Sequence, residues 1–289
     1  MRRFEKVDLG YELTACIGSG DHRAPVVFVN ALDTSQDQWD QVLPRLFSHT
    51  TVTYDRPGIG RSGPLPSHLA DQPRTLGALA DELRAMLDKL AIESPHVVVG
   101  HSMGALIAMM YAARHRAHTA GLVLVDGTTL KYLADRAWPR YEGGEDNRGS
   151  SRLDYPGSIA ELDAAVCLPI PAAVLASAPG RWTRLTSAEA AEYEPLTLAQ
   201  IDEQWQNGQR LLAEKLNALL VVADWAGHHV CQRHVNPGSG TNFVIICPLT
   251  AADSHFRSVG GYILNGQHDR RCGVAEHDCH PVRLASRIR

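Results

Sequence analysis

The chain has 289 residues, of which 44% are hydrophobic and 21% charged. This is the composition of an ordinary globular protein and excludes disorder of the chain as a whole, and the length suits one large α/β domain. The formal net charge is −4 and no stripe of Lys and Arg alternates with aromatic residues, so we expect no nucleic-acid partner.

The N-terminus resembles an export signal only in its paired arginines. Arg2 and Arg3 are followed by Glu5, Lys6 and Asp8, which interrupt any apolar stretch. No run of about 18 apolar residues occurs, so we expect no membrane partner. The six cysteines are spread along a long chain and are interpreted as reduced thiols. The default expectation is therefore a cytoplasmic location, while the oligomeric state stays open.

Strand and helix patterns alternate along the chain. Residues 3–18 predict an antiparallel pair that turns near residues 8–10. Short β-branched runs, typical of strands buried on both faces, follow at 26–29, 51–54, 97–99, 122–125, 172–175 and 219–222. Apolar residues at helical spacing predict helices at 38–47, 76–90, 104–115 and 198–216. The alternation indicates an α/β fold with a mostly parallel central sheet flanked by helices.

A sharp turn follows the run at 97–99. It reads Gly100-His101-Ser102-Met103-Gly104 and leads into a helical pattern. This strand–turn–helix context is the one that a G-x-S-x-G nucleophile motif requires, because the glycines leave room for a serine in a strained conformation. The helix N-terminus behind it favours developing negative charge. The alternative is a chance match in an ordinary loop between a strand and a helix.

The matching segments extend beyond this turn. Residues 54–62 (Tyr-Asp-Arg-Pro-Gly-Ile-Gly-Arg-Ser) and residues 27–32 followed by Trp39 have the order and spacing of two further loops. In these features the chain resembles the α/β-hydrolase fold family over about residues 3–230. The resemblance implies an α/β-hydrolase core at 1–230 with a short cap insertion at about 127–168, and Ser102 as the nucleophile.

A serine nucleophile needs a base and an acid. The family carries its histidine just after the last strand, and here Gly227-His228-His229 follows the run at 219–222. We therefore assign His228 as the base and keep His229 as the alternative. Most members carry the acid after the strand at 172–175, where this chain has no carboxylate. Some carry it one strand earlier, so we assign Asp126 as the acid.

Other roles stay open for these carboxylates. Asp126 could merely cap the following segment. Glu189, Glu192 and Glu194 are the alternative acids, and Asp224 is close to His228 in sequence.

The resemblance also implies an oxyanion hole. The backbone N–H of Met103, directly after the nucleophile, supplies one donor, and Leu32 supplies the other. The family's His-Gly pair before this second donor is Asn30-Ala31 here, which restricts the loop backbone. Asp55 and Arg56 are interpreted as residues that brace the loops.

A serine at the turn favours acyl transfer, because relatives that open epoxides or remove halides use an aspartate there. The leading prediction is a carboxylic-ester hydrolase that uses an acyl-enzyme, a small-molecule substrate and no cofactor or metal. The alternatives are another acyl-transfer enzyme, a C–C bond hydrolase, a perhydrolase, or a non-catalytic, degenerate member of the fold.

Residues 231–289 depart from the family pattern. They carry four of the six cysteines and no amphipathic helix of useful length. The favoured interpretation is an atypical, poorly ordered C-terminal segment. The alternatives are a small extra module around residues 243–249 and a metal site built from His268, Cys272, His277, Cys279 and His280, whose spacing fits no usual zinc pattern.

Overall fold

The computed structural model describes residues 2–20, 24–129, 153–164, 170–191, 193, 195–223 and 227–228. Within these ranges, eight strands form one sheet in the order β1-β2-β4-β3-β5-β6-β7-β8. The strands are β1 (Arg2–Asp8), β2 (Glu12–Gly18), β3 (Val26–Val29), β4 (Thr51–Asp55), β5 (His96–His101), β6 (Thr119–Val125), β7 (Ala172–Ser177) and β8 (Leu219–Ala223). Strands β3 to β8 are mutually parallel, whereas β2 pairs antiparallel with β1 and β4. The expected mostly parallel sheet is therefore confirmed.

Helices connect and flank the parallel strands. They are α1 (Ser67–Ala70), α2 (Leu76–Lys89), α3 (Met103–Arg114), α4 (Tyr155–Ala164), α5 (Ser187–Ala191) and α6 (Leu198–Lys215). Two of them begin at a threonine cap. Thr75 accepts a hydrogen bond from the N–H of Ala78, and Thr197 forms a reciprocal capping box with Gln200, so both helix starts satisfy otherwise unpaired donors.

One predicted helix is wrong in type. Residues 38–47 carry apolar residues at helical spacing, but the structure has two short 3₁₀ helices there, Gln36–Trp39 and Leu43–Leu46. Pro44 lies in the first turn of the second segment, and proline has no N–H with which to continue a helix through that point. Trp39, Leu43 and Leu46 are nevertheless buried, whereas Phe47 at the end of the segment is exposed, so the apolar spacing predicted most of the buried positions.

Alternate side chains of the parallel strands enter two different clusters of the core. In β5, Val98 packs in the cluster that contains the apolar faces of α2 and α3. Its neighbours Val97 and Val99 belong to the second cluster, together with Phe28 and Trp39. Burial on both faces is what the β-branched runs predicted, and it fixes the register of the strands that carry the site.

Several predicted features lie wholly or partly outside the described residues. The proposed C-terminal segment 231–289 is one of them, with its alternative metal ligands, and so are His229, Asp224, Glu192 and Glu194. Of the cap insertion, the structure describes residues 127–129 and 153–164, the latter including α4. No helix in the described ranges is both long and apolar enough to cross a membrane.

Candidate active site

The turn between β5 and α3 holds Ser102 in a strained backbone conformation. Its φ of 54° and ψ of −120° lie in a region that residues with a side chain rarely adopt. Three hydrogen bonds tie this turn to the end of β6 and to the helix. The N–H of Ser102 donates to Val125, and its carbonyl accepts from Thr128 and Ala105. The strained turn is therefore fixed by the sheet on one side and by α3 on the other.

Two glycines of the turn are required by close packing. A Cβ at Gly100 would lie 2.2 Å from the carbonyl oxygen of Gly104, and one at Gly104 would lie 2.4 Å from the carbonyl oxygen of Val29. Both obstacles are backbone atoms, which cannot rotate away as a side chain can. The motif therefore has a steric basis here, and Gly104 also shows that the turn adjoins the loop after β3.

Gly104→Ala is expected to lower the free energy of unfolding by about 1–3 kcal/mol, because overpacking against fixed backbone is costly. Gly63→Ala is the matched control, since its new Cβ would meet atoms no closer than 3.6 Å. Urea unfolding of both variants, followed by circular dichroism, measures the difference. Equal stability of the two variants would contradict the steric role of Gly104.

Ser102, His228 and Asp126 form a continuous hydrogen-bonded chain. The Nε2 of His228 lies 2.9 Å from the Oγ of Ser102, and its Nδ1 lies 2.6 Å from Oδ2 of Asp126. An ionised carboxylate can only accept, so Nδ1 carries a proton, and in the neutral form of the ring the Nε2 lone pair faces the serine hydroxyl. The structure thus brings together the three side chains that the sequence singled out.

Asp126 lies at the end of β6 and is fully buried among donors. Its Oδ1 accepts from the N–H of Ser177 and the Nε1–H of Trp205, both at 2.9 Å. Its Oδ2 accepts from Arg181 at 2.8 Å as well as from His228. Burial raises the pKa of the Asp126 carboxyl, but the hydrogen bond from His228 and the charge of Arg181 outweigh it and hold the pKa well below its usual range. The carboxylate is therefore ionised at neutral pH.

The sequence analysis missed two residues that contact the hydrogen-bonded side chains of Ser102, His228 and Asp126. Arg181 lies in the loop after β7, where the family resemblance first led us to look for the acid, and its side chain pairs with Asp126. His101, inside the nucleophile motif, is fully buried, and its Nε2 lies 2.7 Å from the backbone carbonyl oxygen of His228. Because a carbonyl oxygen only accepts, His101 donates this bond and helps to fix the backbone of His228. In the sequence, the one indication of an unusual arrangement was that no carboxylate follows the strand at 172–175, and Arg181 lies in that stretch.

Arg56 braces the loop after β3. Its guanidinium donates to the carbonyl oxygens of Asn30 and Ala31 at 2.9 and 2.6 Å, and it is almost completely buried. Asn30, which stands in place of the family's histidine, is also buried. Its amide donates to the carbonyl of Tyr54 and accepts from the Nε1–H of Trp39. These contacts match the expected bracing role of Arg56 and hold the loop in one arrangement.

The two predicted oxyanion donors lie on adjoining backbone. Met103 is the first residue of α3, so its N–H has no partner in the helical ladder. The N–H of Leu32, in the loop after β3, donates to no acceptor within the described ranges, whereas the N–H of Ala31 is taken by Gln38. Since Gly104 packs against Val29 and Asn30, the loop and the helix start are neighbours.

The side chains of the alternative acids in the sequence analysis lie outside the described part of the structure. The side chain of Glu189 lies outside the described part of the structure, as do Glu192 and Glu194. Within the described residues, no group of three or more His, Cys, Asp and Glu side chains is arranged to hold a metal ion. The part of the site that the structure describes is thus built around Ser102, His228 and Asp126.

Comparison with known proteins agrees with this architecture. Residues 24–149 match the sequence model of the alpha/beta hydrolase fold. The chain is 29% identical over 122 residues to the uncharacterized protein YqjL of Bacillus subtilis, covering 40% of this chain and 46% of that protein. It is 33% identical over 94 residues to an AB hydrolase superfamily protein of Gibberella zeae, covering 32% and 28%. It thus spans less than half the length of these curated relatives.

Solved structures share the fold. A structure reported with a study of carboxylesterases of the thaumarchaeon Nitrososphaera gargenis superimposes with a TM-score of 0.51 at 14% identity, covering 79% of this chain and 92% of that one. At this identity the likeness concerns the fold alone. Together with the strand order and the match over residues 24–149, it shows that the chain has the α/β-hydrolase fold.

Proposed function

We propose that the protein is a serine hydrolase that cleaves small carboxylic esters through an acyl-enzyme intermediate, without a cofactor. The observation that carries the proposal is the unbroken chain from Ser102 Oγ through His228 to Asp126, with distances of 2.9 and 2.6 Å. Each of these distances is within normal hydrogen-bond range, so the serine proton has an acceptor already aligned with it.

In the first half of the reaction, His228 takes the hydroxyl proton as Ser102 Oγ attacks the ester carbonyl carbon. The resulting oxyanion accepts hydrogen bonds from the N–H groups of Met103 and Leu32. Collapse of this intermediate breaks the bond to the alcohol, which leaves with the proton from His228. The acyl group then remains on Ser102.

In the second half, water replaces the alcohol. His228 accepts a proton from the water as its oxygen attacks the acyl carbon, and the second oxyanion forms in the same place. Its collapse frees Ser102, which regains the proton from His228, and releases the carboxylic acid. Asp126 stays ionised throughout and stabilises the imidazolium that forms in each half.

The identity of the nucleophile favours this chemistry over its alternatives within the fold. An aspartate at position 102 would allow alkyl transfer, but a serine activated by a histidine attacks acyl carbons. The described geometry also favours an enzyme over a degenerate binding protein. The side chains of Ser102, His228 and Asp126 are aligned for proton transfer, and a protein that only binds a ligand would not need this alignment.

A fluorophosphonate probe tests the proposal directly. The wild-type chain should be labelled at Ser102, as read by mass spectrometry of the modified peptide, and should hydrolyse p-nitrophenyl acetate. Ser102→Ala should show neither property while keeping the wild-type circular dichroism spectrum. Ser62→Ala is a matched control at a serine outside the chain of contacts, and it should leave labelling intact. Failure of the folded wild-type protein to react with the probe would reject the serine-hydrolase function.

A further inference from the structure

We propose that Arg181 is a positioning residue that lowers the basicity of His228, so that the base stays neutral and active in weakly acidic solution. This inference rests on the proposed function for its kinetic part. Its physical part, the effect of one side chain on the titration of another, can be tested without any turnover.

The geometry places two donors on one carboxylate oxygen, and one of them is the permanent cation Arg181. Oδ2 of Asp126 accepts from Arg181 at 2.8 Å and from His228 at 2.6 Å. In a triad without the arginine, the full negative charge of the acid stabilises the imidazolium. Here the permanent charge of Arg181 neutralises much of it and repels a proton on His228, and the burial of the Arg181 and Asp126 side chains limits the screening of this repulsion.

Two indole rings hold the guanidinium in this position. Its central carbon lies 4.3 Å from the ring centroid of Trp182 and 4.2 Å from that of Trp205, and the Arg181 side chain is only 9% exposed. Trp205 also donates to the other oxygen of Asp126. Arg181 is therefore fixed toward the acid rather than extended into solvent, as a surface arginine would be.

The groups that face His228 come from several elements of the fold. In the described ranges it faces Asp126 at the end of β6, Arg181 after β7, His101 at the end of β5 and Trp205 of α6, whose ring is uncharged. His101 is a second titratable ring, 4.8 Å from His228 between centroids. Arg181 is the permanent cation in this group, so its removal should dominate the change in pKa.

Arg181→Gln removes the charge and keeps a polar end. We expect it to raise the pKa of His228, and with it the lower limb of the pH profile of kcat/KM for p-nitrophenyl acetate, by about one unit or more. At a pH below this limb, kcat/KM should then fall about tenfold. Arg181→Lys keeps the charge and should leave the limb near its wild-type position. Arg181→Met is a second neutral variant, used if Arg181→Gln does not fold.

Nuclear magnetic resonance gives a readout that requires no activity. In full-length protein carrying ¹⁵N-histidine and Ser102→Ala, the pKa of His228 is read with and without Arg181→Gln, with His101 followed in the same spectra. The signal is assigned by its loss in His228→Ala. An unchanged pKa of His228, with the protein still folded, would overturn the proposal even if turnover falls.

The two proposals fail in different ways. A raised pKa in a protein that hydrolyses no ester leaves the role of Arg181 intact and overturns the proposed function. If the protein hydrolyses esters but the lower limb of the pH profile does not move in Arg181→Gln, the proposed function stands and the role of Arg181 is overturned. A purely structural role of the arginine predicts lower stability and lower kcat with the same pH profile, and this result would also contradict the inference.

Discussion

His228→Ala is expected to lower kcat for p-nitrophenyl acetate by about 10⁴- to 10⁶-fold, because loss of a triad histidine removes the acceptor of the serine proton. His228 is the ring whose two nitrogens contact both Ser102 and Asp126. Its side chain is 28% exposed, so the substitution should change folding little. Stopped-flow or steady-state kinetics, with thermal unfolding in parallel, measure both effects.

His229→Ala is the matched control, since it removes the neighbouring ring that the sequence left as an alternative base. It should retain most of the wild-type kcat. The assignment of His228 would be wrong if the two variants exchanged these outcomes. Added imidazole offers a further check, because a small base that enters the space left by the ring should restore part of the turnover in His228→Ala alone.

The second large effect is expected for Asp126→Asn, which should lower kcat by about 10⁴-fold. The amide keeps the size of the acid but loses its charge, so it no longer holds the proton on Nδ1 of His228 or stabilises the imidazolium. Four donors surround the two carboxylate oxygens. The NH₂ of asparagine must face some of them, which we expect to cost about 1–3 kcal/mol of stability.

Separate measurements distinguish these two consequences. If Asp126 only stabilises the fold, activity should fall in proportion to the folded fraction seen by urea unfolding, and no further. Glu189→Gln, Glu192→Gln and Glu194→Gln test the alternative acids of the sequence analysis. A 10⁴-fold loss in one of these, with Asp126→Asn still active, would transfer the role of the acid.

Local patterns made much of the fold and site predictable. The nucleophile turn could be recognised because its glycines, its serine and the flanking strand and helix are contiguous in sequence. The strand positions followed from β-branched runs, since both faces of a parallel sheet are buried. Asp126 was assigned through the family resemblance, which allows the acid one strand earlier, because no carboxylate follows the run at 172–175.

Contacts between distant segments could not be predicted in this way. Arg181 and Trp205 are separated from Asp126 by 55 and 79 residues, and nothing local to either residue indicates that it reaches the acid. The same is true of His101, whose hydrogen bond spans 127 residues. For residues 38–47, the apolar spacing predicted most of the buried positions but not the type of helix. Pro44 cannot continue an α-helix, and the segment forms short 3₁₀ helices instead.

The strand order has a consequence for how function depends on partial opening of the molecule. Ser102 and Asp126 follow β5 and β6, which are paired in the interior of the sheet, whereas His228 follows β8 at its edge. Among the described strands β8 has β7 as its one neighbour, and Leu219 is 40% exposed. Edge elements of this kind open at lower free energy than the centre of a sheet. Detachment of this edge would separate His228 from Ser102 while the rest of the sheet persists, so we expect the proposed activity to be lost before the fold is lost.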